Sequence, residues 1–167
     1  MLREEFALMF QTFSRTDPTG KAPRRGAALF GMFGGHVNVT DGKYIYMRAP
    51  ETGNSPLYHY TLMPSHLRRP FSTEELKDMT WCAPLSFSKN CPVMRIPSSG
   101  PVGRTPELFE THLFDVKKDP EQTSSLNDTV IEKQMIEKML QVMVQNDAPV
   151  EQYERLGLDA PGAATAG

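Results

Sequence analysis

The chain has 167 residues, enough for one domain with a modest core. Its 18 Lys and Arg stand against 20 Asp and Glu, mixed throughout, and no basic stripe with interleaved aromatics marks a nucleic-acid partner. No apolar run approaches the roughly 20 residues of a membrane span. The charged start Met1-Leu2-Arg3-Glu4-Glu5-Phe6 does not read as a secretory signal, so the sequence as written is expected to stay in the cytoplasm.

Leu2, Phe6, Met9, Phe10 and Phe13 recur at spacings of three and four, which predicts an amphipathic helix over 2–14, followed by a polar, turn-rich connector over 15–25. The stretch from Leu29 to Arg48 reads as three short strands. Residues 29–33 are an apolar run punctuated by Gly34-Gly35, and Val37 and Val39 alternate with Asn38 and Thr40. Asp41-Gly42 is the signature of a type I′ hairpin turn, and Tyr44, Ile45, Tyr46 and Met47 have the composition of a return strand.

A fourth strand is expected over 57–63, stopped by Pro64. Ser72 and Glu75 have capping-box spacing, with Phe71 and Leu76 placed as a hydrophobic staple around a short helix. The proline-rich segment 81–104 suits short extended pieces around 85–87 and 93–96. Residues 113–116 form a further strand, which Asp119-Pro120 turns outward. A helix follows over 129–145, where Thr129 and Glu132 suggest a capping box. Its apolar face holds Ile131, Met135, Met139, Leu140, Val142 and Met143, read as core packing. Pro149 closes it, a short helical turn is expected over 150–156, and 159–167 should be a disordered tail. The fold class expected is α+β: an antiparallel sheet of about four strands with the 129–145 helix packed on one face.

Cys82 and Cys91 lie nine residues apart, outside any C-x-x-C pair or metal-finger spacing. A disulfide between them is geometrically possible, and free buried thiols are the expectation. His36 follows two glycines, which let the backbone come close to a ligand or another domain. It reads either as a substrate contact or as a hydrogen-bonded histidine at a domain seam. His66, beside Arg68 and Arg69, invites the same substrate-binding reading, whereas His59 between two tyrosines reads as structural and His112 carries no expectation. Asp115, Asp119 and Glu121 cluster at a strand exit but miss the EF-hand spacing, and Asp119 suits an Asx turn before Pro120. No metal site is assigned.

Four segments taken together carry a family resemblance. They are Leu29 to Arg48, Pro56-Leu57-Tyr58-His59-Tyr60-Thr61-Leu62-Met63-Pro64, Thr111-His112-Leu113-Phe114-Asp115-Val116-Lys117-Lys118-Asp119-Pro120-Glu121-Gln122, and the closing Asn146-Asp147-Ala148-Pro149. In this order, over residues 26–158, the chain resembles the C-terminal subdomain of sulfatases in the alkaline-phosphatase-like superfamily; residues 1–25 are unmatched. The resemblance implies a small antiparallel sheet that packs on a catalytic domain and helps shape its substrate cleft, with His36 and His66 as substrate contacts. It also implies a sulfated small molecule or glycan as substrate of the complete enzyme, and a divalent cation, calcium, in the catalytic domain.

The family's nucleophile comes from a C/S-x-P-x-R motif. Cys82-Ala83-Pro84-Leu85-Ser86 ends in Ser where Arg is required, and Cys91-Pro92-Val93-Met94-Arg95 has its Pro displaced. Neither serves, so the 167-residue chain is expected to be inactive alone. The alternative is a free-standing binding or assembly module that uses the same packing face for a partner or for self-association. An independent metal-dependent hydrolase centred on His36 finds no second ligand at suitable spacing.

Overall fold

A computed structural model describes residues 26–66, 69–86, 88–98 and 109–160. The helix expected over 2–14, Arg68 and the end of the tail lie outside them. Strands β1 (Ala28–Gly31), β2 (Val37–Thr40) and β3 (Tyr44–Arg48) form the expected meander, and β7 (His112–Asp115) joins its far edge to give an antiparallel sheet in the order β1-β2-β3-β7. Its register sets Leu29, Val39, Tyr46 and Leu113 in one row across all four strands. Helix α2 (Thr129–Gln145) lies over that row.

Spacing by four brings Met135, Met139 and Met143 to one side of α2, all fully or almost fully buried against the row. Burying each such side chain contributes roughly 1.5–3 kcal/mol. The Tyr46 hydroxyl, at the edge of this apolar layer, donates to Glu132 Oε1 at 3.1 Å. Lys138 pairs with Asp41 and ties the helix to the β2–β3 turn.

Three local details differ from the expectation. Only Gly42 has positive φ (+86°) in the turn, so it is not type I′; the Asp41 carboxylate instead accepts from the backbone N–H of Lys43 and Tyr44 at 2.9 and 2.8 Å. The N-cap of α2 is Asp128, whose Oδ1 accepts from Val130 and Ile131 at 3.0 Å, one residue before the expected Thr129. At the exit of β7 the two-residue Asx geometry belongs to Asp115, which accepts from Lys117 N at 3.1 Å, while Asp119 reaches forward to Thr123 and Ser124.

The strand expected over 57–63 is β4 (Tyr58–Thr61), and it leaves the first sheet. With β5 (Thr80–Cys82) and β6 (Val93–Pro97) it builds a second antiparallel sheet in the order β4-β6-β5. The piece around 93–96 is therefore a strand. Leu85 and Ser86 are not, Phe87 lies outside the described residues, and the third strand is Thr80–Cys82. Helix α1 (Thr73–Leu76) carries the expected Ser72–Glu75 capping box, and Phe71 and Leu76 pack with Met94, Ile96 and Met79 on one face of this sheet. Helix α3 (Val150–Arg155) follows α2 and adds Tyr153 and the adjoining Leu156 to the main core. Both cysteines are free, as expected, but Cys82 is half-buried and Cys91 exposed rather than buried.

Candidate functional site

The turn between β1 and β2, the start of β4 and helix α3 converge on a cleft of about 370 Å³. Leu29, Phe30, Val37 and Leu57 give it apolar walls, and its polar groups are His36, Tyr58, Tyr60, Gln152 and Arg155. The wall nearest β1 depends on glycine. Gly34 has φ +69°, and Gly35 donates to the Met32 carbonyl at 3.0 Å, closing a tight turn that sets His36 beside the cleft.

His36 Nε2 hydrogen-bonds the Glu110 carbonyl at 2.8 Å, and its ring meets the Phe109 ring edge-on at 4.9 Å. With Nε2 as donor the neutral ring leaves Nδ1 as its acceptor. Burial pushes the His36 pKa below the ordinary histidine value, outweighing the Glu110 bond, and His112 adds to the lowering. The imidazole is therefore neutral at pH 7.

Arg155, also in the lining, is 2% exposed. Its Nη1 donates to the Gly35 carbonyl at 3.2 Å and to Asn54 Oδ1 at 2.9 Å, and its Nε donates to Gln152 Oε1 at 3.1 Å. Asn54, held at φ +47°, donates its amide back to the Gly34 carbonyl at 2.8 Å. One guanidinium and one carboxamide thus clamp the glycine turn onto α3. Beyond them Tyr60 donates to the buried Glu151 carboxylate, Arg95 Nε lies 3.7 Å from the same oxygen, and the Arg95 guanidinium stacks 3.8 Å above Tyr58. Burial and the Glu151 carboxylate push the Tyr60 hydroxyl far above its ordinary range, so it remains a donor.

His66 stands elsewhere. Its Nε2 is 2.7 Å from Glu75 Oε1, the carboxylate that also takes Arg69 Nη1 at 2.9 Å and the Ser72 backbone N–H at 2.8 Å. It is a member of the α1 capping network, not of the cleft lining. Aromatic rings connect the two regions: Phe33 stacks on His59 at 4.1 Å, and His59 meets His66 and Phe71 edge-on at 5.2 and 5.3 Å. His59 is the packed, structural histidine of the reading, and His112 sits 6.5 Å from His36.

Among the described residues no group of three or more His, Cys, Asp or Glu is placed to hold a metal ion, and no helix is long and apolar enough to cross a membrane. The residues that sequence reasoning missed are Asn54, Gln152 and above all Arg155. Glu151 and Arg155 stand four apart in the sequence, which reads as an exposed helical ion pair, whereas the fold buries both and gives each a different set of partners. In comparisons with known proteins, the chain matches no family model, no curated protein and no solved structure.

Proposed function

We propose that residues 26–158 are the C-terminal subdomain of a sulfatase-type hydrolase, which packs on the catalytic domain and shapes its substrate cleft. The motif resemblance suggests it, and one surface observation carries it. Met32, Phe33, Leu62, Met63 and Trp81 are 41–65% exposed, a large apolar exposure for a small domain. Phe33 stacks on His59 of β4, while Leu62 and Met63 directly follow that strand. Trp81 pairs with Met94, and Met94 with Thr61, on the same side of the second sheet. Exposed apolar side chains at these positions support a contact surface at this end of the domain, and the neighbouring cleft opens beside Phe33.

In this reading the nucleophile and the divalent cation, calcium, belong to the catalytic domain, and His36 meets the substrate from the subdomain side. His66, the second substrate contact that the resemblance implies, stands on Glu75 outside the cleft lining. The complete enzyme would hydrolyse sulfate esters or sulfamates, while the 167-residue chain alone would not. Immunoblotting and peptide mass spectrometry of the native product test this. A product several times larger than 18.7 kDa, with peptides carrying C-x-P-x-R, is the expected result.

The same apolar surface supports a second reading, a free-standing module that pairs with itself or with a partner. A stable native product near 18.7 kDa would favour it and defeat the first. Gel filtration of the Phe33→Ser/Trp81→Ser double variant would then show the loss of the larger species.

A further inference from the structure

We infer that the cleft between β1, β4 and α3 is an oxyanion-binding site with Arg155 as its cation, taking a sulfonate-, sulfate- or carboxylate-type group carried on a small apolar or aromatic body. The inference stands on this chain's own residues and does not need the sulfatase reading. Arg155 is almost wholly buried, yet no carboxylate of a described residue lies within ion-pair distance of it. Its three hydrogen bonds all go to neutral oxygens, those of Gly35, Asn54 and Gln152, and its Nη2 makes none among the described residues.

The contrast with the other partly buried cations is informative. Arg48 has Glu51 at 3.5 Å, Arg95 has Glu151 at 3.7 Å, and Lys138 has Asp41. Arg155 is the most deeply buried of these, and it alone is left with neutral partners. A guanidinium keeps its charge at any pH the protein meets, so this is an uncompensated charge in a low-dielectric setting. Burial lowers its pKa, in keeping with that. An anion entering the cleft would remove the imbalance, and a planar fork of N–H donors suits an oxyanion. The walls formed by Leu29, Phe30, Val37 and Leu57 suit the apolar body behind the anion.

The test is an NMR titration of the ¹⁵N-labelled 167-residue chain with benzenesulfonate, inorganic sulfate and benzyl alcohol in parallel. Saturable shifts at Gly34, Gly35, Asn54 and the Arg155 Nε–H are expected with benzenesulfonate, weaker ones at the same signals with sulfate, and none that saturate with benzyl alcohol. Gln152→Glu places a carboxylate where an amide oxygen already accepts from Arg155. It should keep the folded spectrum and weaken benzenesulfonate binding by about tenfold or more. Equal responses to benzyl alcohol and benzenesulfonate would reduce the cleft to an apolar groove and overturn the proposal, and that comparison needs no variant. The absence of any saturable shift, or unchanged binding by a folded Gln152→Glu chain, would overturn it as well.

Discussion

The Tyr60 hydroxyl donates to the carboxylate of Glu151 and so ties the second sheet to helix α3. Glu151 is 7% exposed, and inside the fold its carboxylate accepts a hydrogen bond from Tyr60 and faces the Arg95 guanidinium at 3.7 Å. Removing the carboxylate leaves the Tyr60 hydroxyl without its acceptor. Glu151→Ala and Tyr60→Phe should each cost about 1–3 kcal/mol. The Tyr60→Phe/Glu151→Ala double variant should cost less than the sum of its single changes, because both remove the same interaction. Urea denaturation of the four proteins measures this, and strict additivity would disprove the coupling.

Helix α2 provides a sharper test of local structure. Asp128 and Thr129 are both good capping residues, but only Asp128 accepts the backbone N–H bonds. Asp128→Ala should therefore lower stability by about 1 kcal/mol, within the 0.5–2 kcal/mol typical of lost caps. Thr129→Ala should change it by only a few tenths of a kcal/mol. Thermal melts that rank the two variants the other way round would move the helix start by one residue.

That one-residue ambiguity shows how much of the fold could be read from sequence. The meander and α2 were legible because alternation, a turn dipeptide and a long apolar stripe are local signals. The second sheet was not, because its order β4-β6-β5 depends on pairing between segments more than thirty residues apart. Strand β5 has three residues and an exposed Trp81, with no alternation to betray it. His36 could be noticed through its two preceding glycines. Arg155 could not: neighbouring Glu151 explains its charge in sequence, and only the fold shows that Glu151 turns to Tyr60 while Arg155 turns to the Gly35 carbonyl.

Acid should destabilise the protein in two separate windows. Burial lowers the pKa of His36 and His59 below the ordinary 6.5, with His66 adding to the effect at His59. An unfolded chain then takes up these protons before the folded one does, so stability is full above about pH 6.5 and declines as pH falls toward the lowered values. The second window is that of the carboxylates held below their ordinary range, Asp41 together with Glu75, Asp119 and Asp147. Burial would raise the Asp41 pKa, but hydrogen bonds from Lys138, Tyr44 and Lys43 outweigh this and lower it below the ordinary 3.8. Its contribution is present above that value and lost as pH falls through the folded pKa. His59→Phe keeps the ring stack and should make only the upper window shallower, leaving the share of His36, whereas Asp41→Asn should make only the lower one shallower, leaving the other lowered carboxylates. Urea midpoints measured across pH decide it, and an unchanged upper window in His59→Phe would exclude His59 as a contributor.

The geometry of the cleft depends on Gly31 having no side chain. A Cβ added to Gly31 would lie 2.6 Å from the carbonyl oxygen of His36, which is backbone and not the far end of a flexible side chain. Gly31→Ala should therefore force the β1–β2 turn open and move His36 away from the Glu110 carbonyl. Gly42 is the useful comparison, since its added Cβ would meet open space and its requirement lies only in its φ of +86°. Gly42→Ala should cost about 1–2 kcal/mol from the left-handed backbone alone and leave the His36 ring signals where they are. Gly31→Ala should instead shift those signals and bring the His36 pKa closer to the ordinary 6.5, as the ring loses its burial. An NMR titration of the histidine ring protons in the two variants separates the effects. A Gly31→Ala protein that keeps the native His36 shift and pKa would show that the turn yields without disturbing the site.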